Sequence, residues 1–174
     1  MSHEHQFKIA PIVVAIVVCF SPACRHSSPQ ASGEVADRIV IRKAAHTLAL
    51  MKRDRELATY KVALGRNPVG AKTQRGDHKT PEGNYLIDAM KSNSRFHRAL
   101  HISYPNLADQ ERAQAAAVNP GGDVEIHGIE NGLGWIGSLH RRIDWTDGCI
   151  AVTDDEIEEI WNKVKVGTAV EIKP

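Results

Sequence analysis

The sequence predicts an α+β domain built on a β-rich mixed sheet with two main helices. Three observations predict it. Short strand-like runs recur along the chain: RIVI (38–41), TLALMKR (47–53), ELATYKVAL (56–64), GNYLIDAM (83–90) and RALHISYP (98–105). Helical length and start signals appear together in two places, from Asn106 and from Thr153. Glycine-punctuated stretches between these elements read as loops, the longest from Gly65 to Gly83.

Taken in order, RIVI is the first strand. RDR (53–55) is a tight polar connection, so the next two strands form a hairpin. Gly, Pro, Lys and Thr fill the loop 65–83, and GNYLIDAM resumes as a strand. Pro105 stops the strand RALHISYP, because proline has no N–H to donate to a ladder. NLADQERAQAAAV (106–118) is an alanine-rich helix with Asn106 and Asp109 at its start. GGDVEIHG is a short strand after a Gly-Gly turn, GLGWIGSLHRR a loop or short helix, and CIAV another short strand. The clearest helix follows. Thr153 and Glu156 form a capping box. Asp154, Asp155 and Glu156 suit the positive end of the dipole, and Lys163 and Lys165 its negative end. Ile157, Ile160, Trp161 and Val164 make one apolar face. TAVEI closes the chain as a strand, and no internal repeat is present.

The first residues read differently. IAPIVVAIVVCF (9–20) is an uncharged run of 12 residues, against the ~20 that span a bilayer as a helix. It matches the apolar region of a signal peptide. Residues 1–24 are therefore expected to be a signal peptide or a membrane or lipid anchor, 25–37 a linker, and 38–173 the folded domain. SPAC places Cys24 after a small residue, so a lipid on Cys24, cleavage nearby and an uncut anchor all remain open. The chain is expected outside the cytoplasm, in the periplasm or on the outer face of the envelope. It is expected to touch the membrane only through this segment. A formal net charge of +1 and the absence of a basic stripe exclude a nucleic-acid partner.

Of three cysteines, Cys19 and Cys24 lie in or beside the leader, which leaves Cys149 alone in the domain. Exported domains use cysteines in pairs, so a lone one is a reactive thiol, an interchain bridge or a buried small hydrophobe. Its setting, TDGC, is a polar turn, which favours the reactive thiol. VEIHGI puts His127 at a strand end, and TDGCIAV puts Cys149 at a strand start. Strand ends meeting loops are where rigid scaffolds carry chemistry. A thiol beside an imidazole is a nucleophile with its base. Cys titrates near ~8.5 and His near ~6.5, so an imidazolium partner is expected to lower the thiol pKa; a two-unit shift needs roughly 2.7 kcal/mol. Gly148 is expected to allow the tight turn and leave backbone N–H groups clear for an oxyanion. Gly128 is expected to aim its carbonyl at the second imidazole nitrogen. There are nine histidines but no H-E-x-x-H or C-x-x-C spacing, so neither a metal nor a cofactor is expected.

These residues, IHG followed by TDGCIAV, with the upstream GDHKTPEGNYLI, resemble the L,D-transpeptidase catalytic domain, or YkuD-type, family; HGIENGLGWIGSLHRRIDWTDGCIAV is most similar to its YafK-like subgroup. The resemblance covers about residues 38–172. It implies a YkuD-like β-sandwich and action on peptidoglycan peptide stems. Cys149 would attack the carbonyl between a diamino acid and a terminal D-Ala, and His127 would carry the proton. An amine acceptor would then give a cross-link or a peptidoglycan-linked lipoprotein. Water would give hydrolysis of the same bonds, as a carboxypeptidase or by releasing such a lipoprotein. A non-catalytic peptidoglycan-binding domain is the reading from another class. Three departures stand out. Asp147 stands where many members have His, Ala151 stands where many have Arg, and the stretch between His127 and Cys149 is long. Arg142, with Arg141, is the candidate replacement for the missing arginine. Thr146, Asp147, Trp145, His101 and Tyr104 are the remaining candidates to line the substrate cleft, with Trp135 a further wall.

Overall fold

The computed structural model describes Met1 and residues 33–174. Apart from Met1, the expected leader, Cys24 included, lies outside the described residues, as does most of the expected linker. The last two linker residues belong to the domain. Ala36 is buried and its N–H donates to Lys163 O at 2.8 Å, and the Asp37 carboxylate accepts from Arg53 N at 2.9 Å. Among the described residues no helix is long and apolar enough to cross a membrane.

Eight strands form: β1 (Arg38–Arg42), β2 (Thr47–Lys52), β3 (Arg55–Lys61), β4 (Gly83–Ser94), β5 (His97–Ile102), β6 (Glu125–His127), β7 (Ile150–Ala151) and β8 (Ala169–Lys173). Two α-helices accompany them, α1 (Leu107–Ala115) and α2 (Asp154–Lys163). A 3₁₀ segment covers Gly134–Arg142, kinked at Gly137. The strand order is β3-β2-β1-β8-β4-β5-β6-β7, with β1/β8 and β6/β7 parallel and the other neighbours antiparallel. The expected mixed sheet and two helices are present.

The sheet curls until its edges meet. β4 is long enough to serve two halves. Its start pairs with β8 and the rest with β5, and register shifts at Ile87/Ala89 and Lys91/Ser94 bend it. Beyond β3, Ala63 pairs with Ala151 of β7 through two 2.9 Å hydrogen bonds, so one edge strand caps the other. The inward positions of the strands supply a continuous apolar core, including Ile39, Leu48, Leu100, Ile126 and Ile150. Capping boxes start both helices, Asn106 with Asp109 and Thr153 with Glu156. α2 buries Ile157 and Ile160. It is clamped to β5 by Glu158, which pairs with His97 and Arg98, while Arg98 stacks over the Trp161 ring at 4.6 Å. This fixes the N-terminus of α2 against the strands that carry the site.

Candidate active site

The parallel register of β6 and β7 sets the site. Ile126 pairs with Ile150 and His127 with Ala151. Side chains alternate along strands, so continuing β7 back one residue puts Cys149 on the same face as His127, diagonally across. The sulfur lies 3.6 Å from Asp123 O, and its hydrogen-bond contact is there rather than with His127.

His127 is almost fully buried. Its Nδ1 lies 2.7 Å from Gly128 O, as expected. A carbonyl only accepts, so Nδ1 carries the proton and Nε2 keeps its lone pair. Gly128 N in turn donates to Phe96 O at 3.1 Å. The Phe96 ring, at 4.5 Å between centroids, and the Trp145 ring, at 5.8 Å, pack against the imidazole. Burial pushes the His127 pKa below its ordinary value, against the pull of the Gly128 carbonyl and Glu125.

The thiol departs from expectation. Burial pushes the Cys149 pKa up to about 11; the Glu125 N–H opposes this, while the carboxylates of Glu125, Asp147 and Asp123 add to it. Both shifts favour the neutral forms, a protonated thiol and an uncharged imidazole, over a thiolate–imidazolium pair.

The turn before Cys149 is self-contained. Thr146 Oγ1 donates to Cys149 O at 2.8 Å and accepts from Gly148 N at 3.1 Å. Thr146 is thus buried and holds the turn rather than lining a cleft. The same contact occupies the Gly148 N–H, which removes it from the oxyanion role expected for it. Gly148 is needed for shape instead. Its φ is +132°, and a Cβ there would meet Lys79 O at 2.6 Å.

The other candidates divide. Asp147 is exposed beside Cys149, paired with Arg66 and with His78 Nδ1 at 2.9 Å. The Arg66 guanidinium holds its carboxyl below the usual range against the opposing effect of burial, with His78 adding to the lowering. His101 faces Asp88 at 2.6 Å and lies opposite Glu125 on β5, close to the thiol's own neighbours. Tyr104 is in the core, edge-on to Tyr85, with its hydroxyl donating to Pro120 O at 3.0 Å, so it lines no cleft. Arg141 is occupied by Lys61 O and Glu156, while Arg142 is exposed with no partner among the described residues. Trp145 walls an apolar groove of about 270 Å³ with Ile129, Leu133, Leu139 and Ile143. Trp135 stands in solvent, 82% exposed. Among the described residues no cluster of three His, Cys, Asp or Glu is placed to hold a metal.

Sequence reasoning missed Asp154 and Phe96. Asp154 read as a helix-end charge, but its carboxylate reaches back to Ile129 N. Phe96 sits in the β4–β5 turn, with no local signal that it would cover His127.

Residues 36–172 match the profile of the L,D-transpeptidase catalytic domain, YkuD. The chain belongs to the YkuD family. The candidate L,D-transpeptidase YafK of Escherichia coli strain K12 is 30% identical over 110 residues, covering 62% of this chain and 37% of that protein. The YkuD fold recurs in solved structures. The helical cell shape determining protein Pgp2 of Campylobacter jejuni is 23% identical, with a TM-score of 0.59, over 79% of this chain and 48% of that one. Bd1075 of Bdellovibrio bacteriovorus is 24% identical, with a TM-score of 0.57, over the same shares, 79% and 48%. An L,D-transpeptidase from Mycobacterium smegmatis is 15% identical, with a TM-score of 0.52, over 79% and 58%. This YkuD chain thus spans about a third to three fifths of the relatives it matches.

Proposed function

We propose that this YkuD domain is a cysteine acyl-transferase acting on peptidoglycan peptide stems, with Cys149 as nucleophile and His127 as its proton acceptor and donor. The observation that carries the reading is the Gly128 carbonyl set against the His127 ring. Gly128 O holds Nδ1–H at 2.7 Å, which leaves Nε2 basic on the sheet face that Cys149 shares. Because the resting pair is neutral, the thiol proton moves to Nε2 as the sulfur attacks the carbonyl between the diamino acid and D-Ala. The tetrahedral adduct collapses, the C–N bond breaks, and the imidazolium protonates the departing amine. A thioester remains on Cys149. An amine acceptor then attacks it, loses its proton to His127 and forms the new amide, while the sulfur regains a proton. No metal or cofactor enters these steps. With water in the acceptor's place the same acyl-enzyme is hydrolysed. A stem peptide, a lipoprotein amine and water thus define cross-linking, anchoring, and hydrolysis or release. On this reading residues 1–24 serve as leader or anchor, and the domain works outside the cytoplasmic membrane.

The test is mass spectrometry of peptidoglycan fragments incubated with the purified domain. It reads D-Ala loss, new cross-links and released lipoprotein separately. Cys149→Ala is expected to abolish all three while its circular dichroism stays that of the parent. Substantial activity in that variant overturns the thioester mechanism, and an inactive parent that still binds peptidoglycan favours a non-catalytic binding domain.

A further inference from the structure

We propose that a basic cavity beside Cys149 binds the terminal carboxylate of the donor peptide, with Arg75 as the group that pairs with it. The inference rests on the peptidoglycan-stem reading above and names the contact that positions the substrate.

The cavity, of about 250 Å³, is lined by Lys72, Arg75, His78, Gly121, Gly122 and Asp147. Two of its lining segments run in sequence to the thiol or to its hydrogen-bond partner. Gly121 and Gly122 lead directly to Asp123, whose carbonyl lies 3.6 Å from the sulfur. Asp147, also in the lining, stands two residues before Cys149. A cleaved peptide bond next to the C-terminal residue puts the carboxylate one Cα beyond the scissile nitrogen. With the scissile carbonyl over the thiol and the C-terminal residue toward Asp123, that carboxylate would enter the adjoining space.

Charge in the cavity is almost fully paired, which identifies the free group. Arg66 and His78 hold Asp147. Lys72, 5% exposed, is held by Asp77 at 2.8 Å and by Gln74 O at 3.1 Å. The Arg75 backbone is fixed by Asn119 O at 2.7 Å, but its side chain is exposed and has no partner among the described residues. One guanidinium is thus left uncompensated, and its planar fork fits a carboxylate in two hydrogen bonds. The wall beside it is open: a Cβ at Gly121 would only reach ordinary contact with Arg75 Cα at 3.4 Å and Lys72 Cε at 3.5 Å, and nothing lies within 4 Å of one at Gly122. Position 151, in register with His127, holds alanine and supplies no cation, and Arg141 is occupied elsewhere.

The test compares kcat/KM on three synthetic stem tetrapeptides: the free acid, the C-terminal amide, and the peptide amidated only at the side carboxylate of its diamino acid. The parent enzyme is expected to favour the acid over the C-terminal amide by about 10–100-fold, the range a charged hydrogen-bonded contact supplies. It should treat the side-amidated peptide like the acid. Arg75→Gln should bring the acid-to-amide ratio close to one, and Arg75→Lys should restore part of it. A parent ratio near one, a ratio that survives Arg75→Gln, or a preference that follows the side carboxylate each overturns the assignment. Absence of turnover on any stem by the parent enzyme instead overturns the proposed function itself, and this inference with it.

Discussion

The carboxylate of Asp154, the first residue of α2, accepts a hydrogen bond from the backbone N–H of Ile129 at 2.8 Å. Helix and histidine loop are joined there, two residues past His127. A Cβ at Gly128 or Gly134 would fall 2.7 Å or less from an Asp154 oxygen, so a side chain at either would displace this carboxylate. Gly128 is also the residue whose carbonyl fixes the imidazole tautomer. Asp154→Ala should therefore cost about 1–3 kcal/mol in stability, the penalty for an unsatisfied buried donor, and lower kcat by loosening the Gly128 carbonyl. Asp154→Asn keeps the acceptor and loses mainly the charge at the helix N-terminus, about 0.5 kcal/mol. Urea denaturation and steady-state kinetics on both variants check this. Equal losses in the two would show that charge, not the hydrogen bond, is what Asp154 contributes.

A second prediction follows from the raised thiol and lowered imidazole. Alkylation rate tracks the thiolate fraction. With the Cys149 pKa at about 11, modification by iodoacetamide should be slow at pH 6–7 and still rising above pH 9. A preformed ion pair would instead plateau near neutrality. For turnover the reactive form has neutral His127 and protonated Cys149. The acid limb of kcat/KM should therefore lie below the ordinary imidazole value of ~6.5, with no descending limb before pH 9. Rapid alkylation at pH 6.5 would contradict the neutral resting pair.

Much of this architecture was legible locally. Both helices begin where Asn106 and Thr153 stand, because a cap is a contact between residues three apart. The β2–β3 hairpin and the Gly128 carbonyl contact were readable for the same reason. What escaped was long-range. The closure of Ala63 onto Ala151 joins segments whose sequences carry no mark of one another. Thr146 beside a Gly-Cys pair looks alike whether its hydroxyl faces substrate or its own turn, and only the bond to Cys149 O decides. Tyr104 has a polar tip that suits a cleft, but Pro120 O gives it a partner inside the core. The thiol pKa escaped because its main cause, burial, and the carboxylates of Glu125 and Asp123 reach Cys149 only through the fold.

The loop of residues 72–79 packs against the nucleophile's turn. Lys79 O sits where a Gly148 side chain would be, so residues 72–79 set the space around Gly148. That loop is organised by Asp77. Its carboxylate pairs with Lys72 at 2.8 Å and accepts from Thr73 N at 2.7 Å, Gln74 N at 3.1 Å and Lys79 N at 3.1 Å. Burial alone would raise its pKa, but the Lys72 ammonium and the three N–H groups outweigh this and lower it to about 2. The folded state therefore binds this proton less readily than the unfolded chain, whose Asp titrates near ~3.9. The stabilisation is complete above that value and is lost as pH falls from about 4 to 2, for a total of about 2 kcal/mol. With the Asp77 side chain 9% exposed, screening by solvent removes little of it. Asp77→Asn cannot titrate, so its unfolding free energy should fall by about 2 kcal/mol less than the parent's between pH 5 and pH 2. It should also start lower, because Lys72 is left buried without a counter-charge. Urea melts of both proteins across that range test the point, and parallel pH profiles would show that Asp77 does not carry the acid sensitivity of the loop.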